Sequence, residues 1–289
     1  MSFIRFVVGF LIICCTIQKV NAENLDVDSL RIGGSTTLLP IITNCANDFM
    51  EKYKTWNKID SKLSKRDIII FVSGGGSGFG IKSTINGTFD IGLASRNLKE
   101  KEKKLLGKHK TFLVGKDAVV IAANKDNCLA KTNKDLMKSE VAEIFSGSKK
   151  TYKSIDPSLP DDNIVLLVRD AGAGSAELMQ KLIMGKSQIS PNALQLPSQG
   201  ALLKKLETNS RFIGYISSGL VLSSDKLYGF ALDGVKPSNT NIVNGKYSFV
   251  RPLLMIVKDE PSLAAKYFID YILTTGQKTV SANHYVPVD

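Results

Sequence analysis

The chain has 289 residues, of which 43% are hydrophobic and 22% charged. These proportions belong to one or two globular domains with proper cores and exclude a disordered or fibrous chain. The net charge is +11, from 38 basic and 27 acidic residues, and 31 of the cations are Lys and 7 are Arg. Such a balance admits nucleic acid, an anionic membrane surface or an anionic ligand as partner.

The amino terminus reads as an export signal. Arg5 precedes an apolar run from Phe6 to Ile17, and Val20 and Ala22 are the small residues a signal peptidase accepts. Cleavage after Ala22 is expected, leaving a soluble exported chain with a net charge of +9, since Arg5 and Lys19 are removed. The run is short for a permanent anchor. Cys14 and Cys15 offer a second reading, a lipid anchor, although Ile13 stands where a small residue is wanted before an acylated Cys. Cys45 and Cys128 then remain, 83 residues apart and in different lobes; they read as buried free thiols. Without a CxxC or a Cys/His cluster the sequence suggests no metal site, and no cofactor.

From there strand-like and helix-like segments alternate. Leu30–Ile32 is a short strand followed by Gly33-Gly34-Ser35-Thr36-Thr37. Leu38, Ile41, Ile42, Cys45, Ala46, Phe49 and Tyr53 fall on one helix face, with Pro40 in the first turn. Residues 67–72 form a continuous apolar run, expected as a strand covered on both faces. It leads into Ser73–Gly80, a helix pattern, and Phe89–Ser95. Ala118–Ala123 is a further strand, Val141–Phe145 a helix piece and 150–163 a surface loop. Ile164–Val168 is a buried strand that delivers Arg169–Ser175 to a helix start. Leu194–Leu196, a helix over 200–208 and Phe212–Ile216 make another βαβ unit, followed by a strand over 250–257 and a terminal helix over 261–273. The pattern predicts an α/β protein of two lobes with mainly parallel sheets.

Three loops share one design: Gly33–Thr37, Ser73–Gly80 and Arg169–Ser175 each follow a strand, are rich in Gly, Ser or Thr, and open a helix. Helix starts offer unpaired N–H groups and a positive dipole end, glycine lets backbone approach an anion, and hydroxyls add donors. Ligands of open α/β sheets bind beyond the carboxyl ends of the strands, so convergence would build an oxyanion cage mostly from neutral donors. Turn formation and helix capping explain any one loop equally well. Three together, one with an Arg at the end of a buried strand, favour the cage, because a guanidinium offers a tetrahedral oxyanion a bidentate fork.

Competing motifs fail. Ile81 separates Gly80 from Lys82, breaking a Walker A loop, and Phe79 occupies the last glycine of both a dinucleotide fingerprint and a nucleophile elbow. His109 sits in a Lys-rich run and His284 near the tail, away from any nucleophile in sequence, which speaks against an enzyme. The Lys-rich run carries no interleaved aromatics, which speaks against nucleic acid.

Taken in order, Gly34–Ile41, Gly75–Ile81, Asp90–Arg96 and Arg169–Ser175 resemble the ligand loops of the phosphate-binding proteins of ABC importers, the PstS type; Gln199–Ala201, Ile213–Tyr215, Tyr247–Pro252, Gly276-Gln277 and Tyr285–Pro287 are similar as well. The resemblance implies a type II periplasmic-binding-protein fold, two α/β lobes joined by a hinge that the chain crosses twice. Lobe I would comprise 23–115 and 247–289, and lobe II 116–246. It implies phosphate contacts from Thr36, Thr37, Ser77, Arg169, Gly174 and Ser175, with Ser35, Gly76, Ser95 and Arg96 as additional candidates. Two positions depart from the pattern. Arg96 stands where some members carry an Asp that accepts a hydrogen bond from protonated phosphate, and Ala173 replaces a Ser donor. The expected function is extracytoplasmic capture of inorganic phosphate by a monomer that delivers it to membrane permease and ATPase subunits. Sulfate, molybdate or a phosphorylated metabolite are alternative ligands, and a secreted phosphate-ester hydrolase is a distant alternative.

Overall fold

A computed structural model of the chain describes residues 29–288. The expected signal peptide and the Cys14 and Cys15 anchor sites lie outside the described residues. In chain order the first body holds β1 (Ser29–Gly34), α1 (Leu39–Tyr53), β2 (Ile69–Gly74), α2 (Ser77–Ile85), β3 (Ile91–Ala94), α3 (Glu100–Leu106) and the start of β4 (His109–Asn124). The second holds α4 (Cys128–Lys131), α5 (Lys138–Ser146), α6 (Tyr152–Ile155), β5 (Val165–Arg169), α7 (Gly174–Met179, continued by a π turn to Met184), β6 (Leu194–Leu196), α8 (Gln199–Thr208), β7 (Phe212–Ser217), α9 (Ser218–Leu222), β8 (Leu227–Gly229) and α10 (Asn239–Val243). The chain returns through β9 (Val250–Lys258) to α11 (Leu263–Leu273), α12 (Gln277–Ala282) and β10 (Val286–Pro287).

The strands run in the order β2-β1-β3-β9-β4-β7-β5-β6, with β8 and β10 also paired to β4. The outer strands are parallel, as the alternating pattern predicts, but β9 and β4 run antiparallel to their neighbours, so the sheet is mixed. The reason is the return path. The expected strand over 118–123 is only the end of β4, which spans 16 residues: one end pairs with β9 and the other with β7 and β8. Val114 forms a bulge between Leu113 and Gly115 that bends this long strand where it leaves the first body.

The described residues hold two large cores, each with a smaller apolar cluster beside it, as the two-lobe type II arrangement expects. One is built on Leu30–Val114 with Leu253–Tyr285, around an aromatic cluster in which Phe49 meets Trp56, Phe268 and Tyr271. The other gathers Ala118–Phe249, including Phe145, Tyr215, Tyr247 and Phe249. Tyr247 and Phe249 therefore pack on the second core, although the sequence pattern places them in the return segment of lobe I.

Other expectations need correcting. β2 is an edge strand, not one covered on both faces: Phe71 is 60% exposed and Ile69 39%. Its apolar run looks the same in sequence as that of a central strand. The loop over 150–163 contains α6, because Tyr152 and Ile155 bury their side chains in the second core and Thr151 caps the turn. The terminal helix is followed by α12 and β10. Cys45 and Cys128 are both free, but only Cys45 is fully buried, where desolvation pushes its thiol pKa up to about 11; Cys128 is half-buried.

The first ligand loop depends on a close crossing of α2 over β1. Gly34 adopts φ +135°, and a Cβ on Gly80 would lie 2.6 Å from Leu93 O, 2.7 Å from Gly33 O and 2.8 Å from Gly34 Cα, all backbone atoms that cannot swing aside. Gly80→Ala is expected to cost about 1–3 kcal/mol through overpacking, measured by urea unfolding, and to displace the loop that carries Ser35–Thr37.

Candidate functional site

The three glycine- and hydroxyl-rich loops meet between the lobes. Each follows a strand of its lobe (β1, β2 or β5) and opens a helix (α1, α2 or α7), so all three present strand ends and helix starts to one cleft. Short contacts close that cleft. Gly78 N donates to Gly172 O at 3.0 Å across the lobes, and Gly76 adopts φ +88°, which strains any side chain, with its Cβ position 3.2 Å from Gly172 O. A Cβ on Gly174 would stand 2.6 Å from Ser95 O and Oγ and 2.9 Å from Ser77 Oγ, so the start of α7 abuts the second loop directly.

Arg169 crosses the same gap. It is 3% exposed, and its backbone N–H is fixed by Tyr215 Oη at 3.0 Å. Its guanidinium donates to Leu196 O, Pro197 O and Asp170 Oδ1 on its own lobe and to Thr36 Oγ1 at 3.1 Å on the other. Burial lowers its pKa, and the nearby Arg251 charge adds to this, against the attraction of Asp170; a guanidinium nevertheless stays charged. Thr36 Oγ1 also accepts from Gln199 N at 3.3 Å. Ser77 Oγ accepts from Ser95 N at 3.0 Å and shares a hydrogen bond with Ser95 Oγ, while Ser175 Oγ accepts from Gln199 Nε2 at 3.3 Å. Ser35 is buried, its N–H spent on Leu93 O. Thr36, Thr37, Ser77, Arg169, Gly174 and Ser175, with Gly76 and Ser95, thus come together.

Arg96 does not join them. Its guanidinium forms a fork with Glu102 at 2.7 Å on both arms, and its Nε makes an ion-pair contact with Glu177 Oε1 at 2.9 Å without hydrogen-bond alignment. Glu177 belongs to α7 in the opposite lobe and also takes Lys99 Nζ at 3.0 Å. Through Glu177 these cations form a clasp across the cleft. Its local origin is the turn into α3, where Glu102 accepts from Lys99 N at 2.8 Å and so holds its carboxylate against Arg96.

Other residues of the site carry no role in the sequence reading. Asp117 on β4 and Arg251 on β9 are register partners and form a fully buried ion pair, Asp117 Oδ2 taking Nε at 2.9 Å and Nη2 at 2.7 Å. Asp117 Oδ1 accepts from Ser217 Oγ, Ser218 N and Ser218 Oγ of lobe II; Arg251 Nη2 reaches Thr37 Oγ1 of lobe I at 2.9 Å. Tyr285, its hydroxyl kept neutral by burial, lies within hydrogen-bond reach of Ser217 Oγ at 3.1 Å and Thr37 O at 3.3 Å. Gln199 ties Ser175 to Ser217 N. Arg251, Gln199 and Tyr285 lie within the later motif segments, which was the only signal; Asp117 lies in none.

The domain model of the PBP superfamily matches residues 19–275. A phosphate-binding protein PstS of Staphylococcus epidermidis is 30% identical over 78% of this chain and 68% of its own length, and that of Bacillus subtilis is 29% identical over 94% and 84%. The chain belongs to the PstS family. A Clostridium perfringens protein assigned as a phosphate ABC transporter substrate-binding protein, solved with bound phosphate, superposes with a TM-score of 0.77 at 28% identity, covering 90% of this chain and all of that one. An ABC-type phosphate transport receptor from Vibrio cholerae shares the fold at a TM-score of 0.69 and 23% identity. Arg96, an additional candidate in the sequence reading, is engaged in this structure by Glu102 and Glu177.

The clasp has a pH signature. Burial raises the Glu102 pKa, but the Arg96 guanidinium and the Lys99 N–H outweigh it and hold the carboxyl below the ordinary carboxylate range. The stabilisation is complete above the ordinary range and is lost as pH falls through the depressed pKa. Thermal unfolding from neutral to acid pH is expected to show a smaller loss of Tm for Glu102→Gln than for the wild type.

Proposed function

We propose that this chain captures inorganic phosphate outside the cytoplasm and presents it, without chemical change, to an ABC importer. The observation that carries the reading is the convergence of Thr36, Thr37, Ser77, Gly174 and Ser175 on Arg169 in one closed interlobe cleft, in a member of the PstS family. Its donors are neutral hydroxyl and N–H groups at helix starts plus a buried guanidinium, which suits a small oxyanion bound with little water. Closure of the lobes on the anion would stabilise the form that the importer recognises. Membrane permease and ATPase subunits are the partners of this reading, export by residues 1–22 its route, and a monomer its working unit. Its lobes are residues up to about 115 with the segment after Arg251, and the part between. None of the described helices is long and apolar enough to cross a membrane.

One observation favours testing a second oxyanion. Arg96 replaces the Asp that would accept a proton-bearing phosphate oxygen, and the carboxylates nearest the cleft arginines, Asp117 and Asp170, already receive guanidinium hydrogen bonds. Sulfate is therefore expected to compete with phosphate.

Titration calorimetry of the ligand-stripped chain with phosphate is expected to give micromolar or tighter binding, roughly 8 kcal/mol or more. Absence of heat would overturn the reading. Arg169→Ala is expected to abolish binding while far-UV circular dichroism is unchanged, since its carboxylate partner Asp170 is 35% exposed and stays hydrated without it.

A further inference from the structure

Arg251 is 2% exposed, and two of its three guanidinium nitrogens are accounted for. Nε and Nη2 form the side-on fork to Asp117 Oδ2, and Nη2 also reaches Thr37 Oγ1. Nη1 is buried and has no hydrogen-bond partner. Buried donors in native structures are nearly always paired, and an orphan on a charged group asks for an explanation. The end-on edge of the guanidinium, Nη1 with Nη2, is the edge that meets Thr37, one residue from the Thr36 hydroxyl that holds Arg169. Consecutive threonines thus hold two guanidiniums at one loop, close enough for each charge to act on the other. Like charges brought together under cover repel unless a shared anion lies between them. Each arginine also has its own carboxylate, Asp170 or Asp117, which balances the cleft when no anion is bound and leaves Nη1 of Arg251 free to donate.

We propose that Arg251 is a second anion-contacting residue of the cleft, its Nη1 donating to the bound oxyanion beside Thr37 while Asp117 fixes its other edge. The assignment rests on the phosphate reading above and deepens it: the ligand would sit between one guanidinium from lobe II and one from the returning hinge strand, so that the anion itself bridges the lobe and the hinge. A doubly charged oxyanion is the ligand class that such a pair selects.

The test titrates phosphate into the ligand-stripped wild type, Arg251→Lys, and the double variant Asp117→Asn/Arg251→Gln, with thermal unfolding of each. Lys keeps a cation opposite Asp117 but cannot supply Nη1; the double variant removes both charges, so no unpaired carboxylate is left buried. Both are expected to fold and to bind phosphate on the order of 10- to 100-fold more weakly, the size of a lost hydrogen bond to a charged group. Arginine side-chain NMR of the wild type provides a readout independent of any variant: the Arg251 Nη1 resonance is expected to shift on saturation with phosphate. A folded variant that binds within twofold of the wild type, or an Arg251 resonance that phosphate leaves unmoved, overturns this assignment while the phosphate reading stands. A wild type that binds no phosphate overturns both.

Discussion

The buried pair of Asp117 and Arg251 is the constraint on which the rest of this molecule depends. The two residues sit opposite each other on β4 and β9, where the chain passes from one core to the other and back. Two ions taken out of water are tolerated only when their remaining hydrogen-bonding capacity is used. Here Asp117 uses its second oxygen on Ser217 and Ser218 in lobe II, and Arg251 extends to Thr37 in lobe I. One pair therefore ties together both lobes and the first ligand loop. Separating the partners would leave an unpaired charge in the interior.

Around this pair the cleft is assembled from groups that cost little to bury. Hydroxyls and N–H groups at the starts of α1, α2 and α7 need no counter-ion, and the guanidinium of Arg169 is held by two carbonyls and Asp170. The rest of the charge lies elsewhere. Lysines of the α3 region are solvent-exposed, and Lys108 and Lys110 meet Glu260 at the surface. The excess of basic residues is thus a property of the exterior that attracts anions at long range; selection at short range belongs to a small set of neutral donors and arginines.

The closed cleft also has a latch at the ends of the ligand loops. Arg96, held by Glu102, and Lys99 on lobe I meet Glu177 at the start of α7, one turn from Gly174 and Ser175. Arg96 thereby links the two lobes, pairing with Glu102 on its own side and Glu177 on the other.

Read alone, the sequence determines much of this protein. The apolar face of α1, the strand–loop–helix repeats and Arg169 at the end of a buried strand all follow from periodicity and spacing, because local backbone preferences and side-chain burial act over a few residues. The order of the motif loops carries the family. What only the tertiary structure decides are relations between segments far apart in the chain. These include whether an apolar run such as β2 is central or an edge, which core claims Tyr247 and Phe249, whether Arg96 meets a ligand or Glu177, and that Asp117 and Arg251, 134 residues apart, face each other. Each is settled by which strands become neighbours when the chain returns through β9, and no local propensity encodes that pairing, since it is the burial of both cores at once that selects it.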